Sequence, residues 1–427
     1  MCLGVPAEVK SVDGPAGIAR VGSLETPVNL QLTPEARPGD YVMLHAGFAI
    51  KVMDKAAVID TLEVLGAAGS GLERLERLER QLAVVASGLP PVRLMEVCGT
   101  HTVAIARAGL KGRLPKNIGL ISGPGCPVCV TPPGEIDMAV DLALSRRAHI
   151  VSFGDMLRVP GSDISLEAAR ARGAKVSVVY SPAQALEMAR RQSEAVVFLA
   201  VGFETTAPVI ATVVGAAVAE GLSNFSVLVS HRLIPPALQA ILSNPEARLD
   251  GLICPGHVST VIGSEAYTAT AKEHHIPCVV AGFEPVDILE AVLMLVERIA
   301  AGRAGVGNQY KRTVSSKGSP AAKLAIAQAF ETVDGDWRGL GTIEKSALKL
   351  RPRLAAFDAV IKYNLKNQVV PEPKGCRCGG VLSGRAQPSE CRLFGRACLP
   401  DSPVGPCMVS SEGACAAAYV YGGAREQ

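Results

Sequence analysis

The sequence predicts an α/β protein: a small N-terminal β-barrel, two related α/β open-sheet domains, and a C-terminal domain organised around cysteines. Three observations carry this prediction. Short alternating apolar runs crowd residues 1–65. From Pro91 onward, apolar strands alternate with amphipathic helices. Six of the twelve cysteines lie between positions 376 and 415.

Residues 1–65 carry the runs Ala7–Val12, Gly17–Val21, Pro27–Leu32, Tyr41–His45 and Ala49–Val52, separated by Gly, Pro and Asp turns. So many short strands in so little chain imply a barrel, closed by a helix over Ala57–Leu65. Residues 66–90 read as a flexible Gly66–Gly71 linker followed by a helix, whose Leu-Glu-Arg repeats give a solvated face with i,i+4 pairing. Candidate strands then follow at Val92–Val97, Ile118–Ser122, His149–Phe153, Lys175–Tyr180, Ala195–Val201, Phe225–Ser230, Leu249–Cys254 and Pro277–Ala281. Helices are expected between them, at Glu135–Leu144, Leu166–Arg172 and Ala207–Glu220. Eight strands could close one barrel; two open sheets, over 91–200 and 201–310, are the preferred reading. The tripeptide Gly-Phe-Glu follows two separate strands, at 202–204 and 282–284, as an internal duplication would produce. In 311–427 a helical stretch carrying Trp337 leads into the cysteine-rich tail.

Composition narrows the function. Charged residues are 19% and hydrophobic ones 48%, which fits large cores rather than disorder. A net charge of +3, with no basic run among aromatics, gives no nucleic-acid footprint. Met1–Val12 lacks the basic start and apolar core of a signal peptide. The most apolar stretch, Ala195–Val218, is broken by Glu204 and Pro208, so it reads as strand, loop and helix rather than a membrane span. A cytoplasmic location is expected, and there twelve cysteines mean metal ligation or redox chemistry rather than structural disulfides.

The tail cysteines are Cys376, Cys378, Cys391, Cys398, Cys407 and Cys415, set among Gly, Pro and Ser that can turn several sulfurs onto one centre. Zinc ribbons use two close Cys-x2-Cys pairs and the tail has none, so wide spacing favours an iron–sulfur cluster over zinc. Cys126-Pro-Val-Cys129, just after a strand, allows a reversible disulfide with a thiol pKa lowered by the next helix; half of a zinc site with Cys98 and His101 is the alternative. Cys98 ends a strand before a helix, a place that favours thiolate, beside Thr100 and His101. Glu204, His257 and Glu284 sit in other strand-end loops, where they either hold a ligand or brace the loop. Cys254 and Cys278 end apolar strands as core residues, and Cys2 and His45 say little alone. No phosphate-binding glycine loop is present, so nucleotide use is not expected.

Taken together these motifs resemble a known pair of families. Met1-Cys-Leu-Gly-Val-Pro6 and Leu44-His-Ala-Gly-Phe-Ala-Ile50 resemble the HypC-type hydrogenase maturation chaperone. Met95–Thr102, Ser122–Pro132, Gly202-Phe-Glu-Thr-Thr206, Pro255-Gly-His-Val258 and Gly405–Cys415 are similar to its partner, the HypD-type maturation factor. The chain thus looks like a fusion of two proteins that ordinarily form a complex.

The resemblance implies assembly of an Fe(CN)2CO unit for [NiFe] hydrogenases, on a scaffold with redox activity rather than a conventional turnover enzyme. It implies a five-stranded, OB-like barrel, two related α/β domains and a cluster domain. Cys2 and Cys98 would hold the iron, with His45 and His101 nearby, while Cys126 and Cys129 form a dithiol–disulfide couple; Glu204 and His257 complete the catalytic set. The family spacing Cys-x12-Cys-x6-Cys-x16-Cys places a [4Fe-4S] cluster on Cys378, Cys391, Cys398 and Cys415, with Cys407 as a possible substitute. A HypE-type carbamoyl dehydratase would donate cyanide, and the hydrogenase large-subunit precursor would receive the product. Whether the barrel docks on its own chain or a neighbour's stays open. The alternatives are a stand-alone iron–sulfur thiol–disulfide reductase and a zinc-stabilised scaffold.

Overall fold

The computed structural model describes residues 5–53, 58, 68–368 and 370–422. Strands β1 (Val5–Asp13), β2 (Ala16–Val21), β3 (Leu24–Asn29), β4 (Tyr41–His45) and β5 (Phe48–Met53) close a barrel in the order β1-β2-β3-β5-β4. Alternation drives closure: Ala7, Val9, Ala19, Val28, Val42 and Ala49 fill the interior, while Glu8 pairs with Lys10 and Arg20 outside. The run Pro27–Leu32 is not one strand. The chain leaves the ladder after Asn29 and turns through a Thr33 N–H to Leu30 carbonyl bond of 2.8 Å. That turn puts Leu30 in the barrel core and Leu32 in the core next door.

The barrel docks on its own chain. Leu32, Met43, Phe48, Ile50 and Met53 share one apolar core with Val151, Phe153 and Val179. The β4–β5 turn approaches so closely that a Cβ on Gly47 would lie 2.9 Å from Ser181 Oγ. Across the barrel, the half-buried Lys51 ammonium donates to the Thr313 carbonyl.

The expected helix Ala57–Leu65 lies outside the described residues apart from Val58. The expected linker Gly66–Gly71 is corrected in its second half, because a helix already runs from Ala68 to Ala86. Leu78, Leu82 and Ala86, one turn apart, bury that helix against the helix Pro285–Ala300, and this tertiary face outweighs the glycines at its start.

The central strands are β6 (Val92–Glu96), β7 (Ile118–Ser122), β8 (His149–Ser152), β9 (Val176–Val178), β10 (Val196–Gly202), β11 (Phe225–His231), β12 (Gly251–Pro255), β13 (Pro277–Ala281) and β14 (Gly305–Asn308). They form two open parallel sheets, β14-β13-β12-β6-β7 and β11-β10-β8-β9. The division at residue 200 is corrected: it cuts through β10, and the second sheet is inserted whole between β7 and β12. Return pairing of Ile253 with Glu96 closes the interrupted sheet.

Trp337 is not helical. It ends β15 (Phe330–Trp337), which pairs with β16 (Gly341–Leu350) in an antiparallel hairpin turned at Gly339 and Gly341, both with positive φ. The hairpin is pinned by Arg232, whose Nε donates to the Asp336 carbonyl (2.8 Å) and whose Nη2 pairs with buried Glu135 (2.6 Å). The tail then wraps back over both sheets, with Arg93 of β6 donating to the Gly384 carbonyl (2.7 Å) and Arg158, after β8, to that of Val409 (2.7 Å). Among the described residues no helix is long and apolar enough to cross a membrane.

Candidate functional site

Parallel topology gathers the C-terminal ends of β6, β7, β12 and β13, and each strand runs into one of the loops marked by sequence. Cys98 caps the helix Gly99–Arg107 in extended conformation. Its N–H donates to Glu96 Oε2 (3.1 Å), and the next N–H, of Gly99, donates to the Gly125 carbonyl (2.8 Å). A Cβ on Gly125 would lie 2.1 Å from Cys98 N, so glycine is required for the Cys126 loop to sit directly on Cys98. On the other side, a Cβ on Gly99 would lie 2.7 Å from Glu412 Cβ. The cysteine tail therefore closes over the same loop.

His101 is buried, with Nε2 2.8 Å from the Gly282 carbonyl. A carbonyl only accepts, so Nε2 carries the proton and Nδ1 keeps its lone pair, buried and without a hydrogen-bond partner. Phe283 lies between the two histidines, 4.8 Å from the His101 ring and 4.0 Å from that of His257, with Tyr310 edge-on at 5.9 Å. Glu204 braces the neighbouring loop: Oε1 accepts from Ile234 N–H after β11 (2.9 Å), while Oε2 is buried without a partner. His45 is buried at the end of β4, and Cys2 lies outside the described residues.

The thiols share one buried cluster, Cys126, Cys129, Cys378, Cys398, Cys407 and Cys415, and the Cys129 thiol donates to the Pro406 carbonyl (3.8 Å), beside Cys407. Cys378, Cys391, Cys398 and Cys415 all line one small cavity, together with Cys376, whose sulfur is 3.3 Å from that of Cys378. Cys407 is not among the cavity's lining residues and is buried in the same cluster as Cys129. Among the described residues no three His, Cys, Asp or Glu side chains converge on a single-ion position. A ring of thiols around a cavity, one of them (Cys398) accepting from Val404 N–H at 3.3 Å, fits the donor chemistry of a multi-iron cluster.

Comparison with known families decides the identity. The model of HypD, described as the hydrogenase formation hypA family, matches residues 73–422, and that of the HupF/HypC family matches residues 1–65. The chain belongs to the HypD family. It carries a HypC-type domain fused ahead of the HypD region. The hydrogenase maturation factor HypD of Azotobacter vinelandii is 49% identical over 358 residues, covering 82% of this chain and 94% of that protein. HypD of Escherichia coli (strain K12) is 47% identical over 334 residues, covering 78% and 89%. HypD of Cupriavidus necator is 47% identical over 337 residues, covering 77% and 89%.

Electrostatics within the HypD region depart from the sequence expectation. Cys98 does not favour thiolate: burial, then the carboxylates of Glu412 and Glu96, push its thiol up to about 12. Nor is Cys129 acidic, because burial and its bond to Cys126 push it well above the ordinary thiol value, outweighing the short helix Pro127–Val130. Burial lowers His101 to about 4, so its ring is neutral. Burial also raises Glu96 and Glu204 to about 7 each, against hydrogen bonds that favour the charged form.

Three residues of this site were not singled out by sequence. Glu96 and Glu412 lay inside quoted motifs but carried no distinctive spacing. Phe283 had a signal, the second Gly-Phe-Glu, whose acid rather than its aromatic drew attention.

Proposed function

We propose that this chain is the scaffold on which the Fe(CN)2CO unit is assembled for [NiFe] hydrogenases, with Cys98 and Cys2 as the thiolates that take the iron. His45 and His101 flank it, and Glu204 and His257 serve as polar groups of the adjoining loops. The observation that carries this reading is the packing of the Cys98 loop on the Cys126 loop, whose Cys129 thiol donates to the Pro406 carbonyl of the cysteine tail (3.8 Å).

The iron is cargo here. Cys98 holds its proton at neutral pH and releases it only as a metal binds, so loading liberates a proton. The neutral His101 presents a lone pair on Nδ1 in the same buried loop. A Cys126–Cys129 disulfide accepts two electrons and two protons to become two thiols, and the reverse step returns them. Cys378, Cys391, Cys398 and Cys415 would hold a [4Fe-4S] cluster, which when bound supplies single electrons. Cys376 lies close enough to Cys378 to compete for the same corner. In this reading a HypE-type carbamoyl dehydratase donates cyanide, and the HypC-type barrel presents the finished unit to the hydrogenase large-subunit precursor.

The test is infrared spectroscopy with iron and zinc analysis on protein purified without oxygen. Cyanide and carbonyl stretching bands, with more iron than one cluster needs, are expected. A Cys98→Ala chain should lose those bands and keep its cluster absorbance; bands that persist would remove Cys98 from the iron site. Cluster iron without bands, plus turnover of a generic disulfide, would favour a stand-alone reductase, and zinc in place of iron would overturn both. Cys376→Ser and Cys378→Ser, compared by electron paramagnetic resonance, identify the fourth cluster ligand as whichever change alters the signal.

A further inference from the structure

His101 and His257 each sit in the first turn of a helix, Gly99–Arg107 and Gly256–Ile262, and the Gly282 carbonyl that fixes the His101 ring belongs to the loop after β13. That loop has no strand partner of its own, so its position depends on side chains.

The Gly282 N–H donates to Gln309 Oε1 at 3.0 Å. The amide of Gln309 is then fully used: its Nε2 donates to Asp287 Oδ1 (2.8 Å) and to Glu290 Oε2 (3.0 Å), which fixes both its rotamer and its oxygen–nitrogen orientation. Buried Asp287 is in turn clamped by the Arg312 guanidinium, with Nη1 2.8 Å from Oδ1 and Nη2 on Oδ2. The fit leaves no slack: a Cβ on Gly282 would lie 2.2 Å from Asp287 Oδ2. Arg312 also lies over the Tyr310 ring, 4.6 Å from its centroid, and Tyr310 meets Phe283 edge-on. The residue after Arg312 is Thr313, whose carbonyl receives Lys51 of the barrel.

We propose that Gln309, Asp287 and Arg312 are positioning residues that hold the Gly282 carbonyl against His101, and that through Thr313 they make this placement respond to barrel docking. The proposal rests on the iron-scaffold reading for its purpose, because a His101 ring locked with Nε2–H toward Gly282 keeps the Nδ1 lone pair available in the iron loop. The network connects the docking lysine to a ring nitrogen in the site bond by bond, and a fully satisfied buried network of this kind is rigid enough to fix the geometry at its ends.

Two readouts separate positioning from mere packing. In the full chain labelled with 15N-histidine, His101 is identified among the seven histidines by the loss of its signals in His101→Gln. The parent should show a single tautomer with the proton on Nε2. Gln309→Met, which keeps length and removes every bond, should give mixed tautomers, and so should the near-isosteric Asp287→Asn to a smaller extent. Arg312→Lys should largely restore the parent pattern that Arg312→Met loses. Lys51→Met should move the His101 signals in the same direction by less. The second readout is infrared: Gln309→Met should lower the cyanide and carbonyl bands about fivefold at unchanged cluster absorbance, as expected when, of its three bonds, the one that fixes Gly282 governs the site. Unchanged His101 shifts in Gln309→Met and Asp287→Asn would overturn the proposal, and unchanged shifts in Lys51→Met would remove its barrel end. A parent chain without such bands would defeat the iron reading alone, because the histidine shifts still decide the positioning.

Discussion

The two Gly-Phe-Glu tripeptides occupy equivalent places, each following a parallel strand and preceding a helix, yet they use their side chains in opposite ways. In the first, Phe203 is buried against Trp337, with ring centroids 6.1 Å apart, and the acid Glu204 turns inward to accept from Ile234 N–H. In the second, the aromatic Phe283 enters the site between His101 and His257, while Glu284 merely caps the helix Pro285–Ala300. Topology repeats the position of a loop. Which residue of the loop becomes functional depends on what packs above it: the hairpin's Trp337 in one sheet, two histidines in the other.

The sharpest way to break the comparison is to truncate both aromatics. Phe203→Ala should cost about 3–5 kcal/mol by urea unfolding, since a buried ring leaves a cavity, yet spare the iron bands of the folded fraction. Phe283→Ala should cost only about 2 kcal/mol, being half-buried, and abolish the bands. Equal losses of bands would erase the distinction. Next in size is Glu204. Folded, it releases its proton near pH 7, against an ordinary value of 4.5, so between these values the unfolded chain binds fewer protons and stability falls as pH rises. Glu204→Gln keeps an acceptor for Ile234 and should shrink the fall in unfolding free energy, measured with urea, between pH 5 and 8 by on the order of 2–3 kcal/mol. A fall of the same size in the variant would mean Glu204 is not the group involved; Glu96, which titrates alike, would account for what remains. The smallest effect is Glu284→Ala, which loses a helix cap worth about 0.5–1 kcal/mol by thermal unfolding and should leave the bands intact.

These contrasts also show where sequence reading reaches. Four of the five barrel strands and the parallel strands around Cys98, Cys126 and His257 were legible because alternation and apolar runs are local signals; the third barrel strand, Leu24–Asn29, begins before the run Pro27–Leu32. The hairpin was not. Its second strand, Gly341–Leu350, is rich in Glu, Lys, Ala and Leu, which favour helix in isolation, and pairing with β15 overrides that preference. The interrupted sheet was illegible for a different reason: the pairing of β12 with β6 joins residues far apart in the chain and leaves no local trace. At the site, motifs located the thiols but not their acidity. The rise at Cys98 comes from burial and from Glu412, brought over it by a tail hundreds of residues away.

Docking of the barrel on its own chain changes the arithmetic of delivery. Two separate proteins would part on dilution, with occupancy set by their concentrations. Here the barrel is leashed by the chain between Met53 and Ala68, which drawn straight cannot exceed about 50 Å. Its local concentration at the docking face is therefore of millimolar order at any protein concentration. On the proposed function, a client would not win the barrel by waiting for it to diffuse away. It would compete for the docking face while the leash holds, so that handover becomes a displacement within one assembly, paced by how often Lys51 and Phe48 lift off.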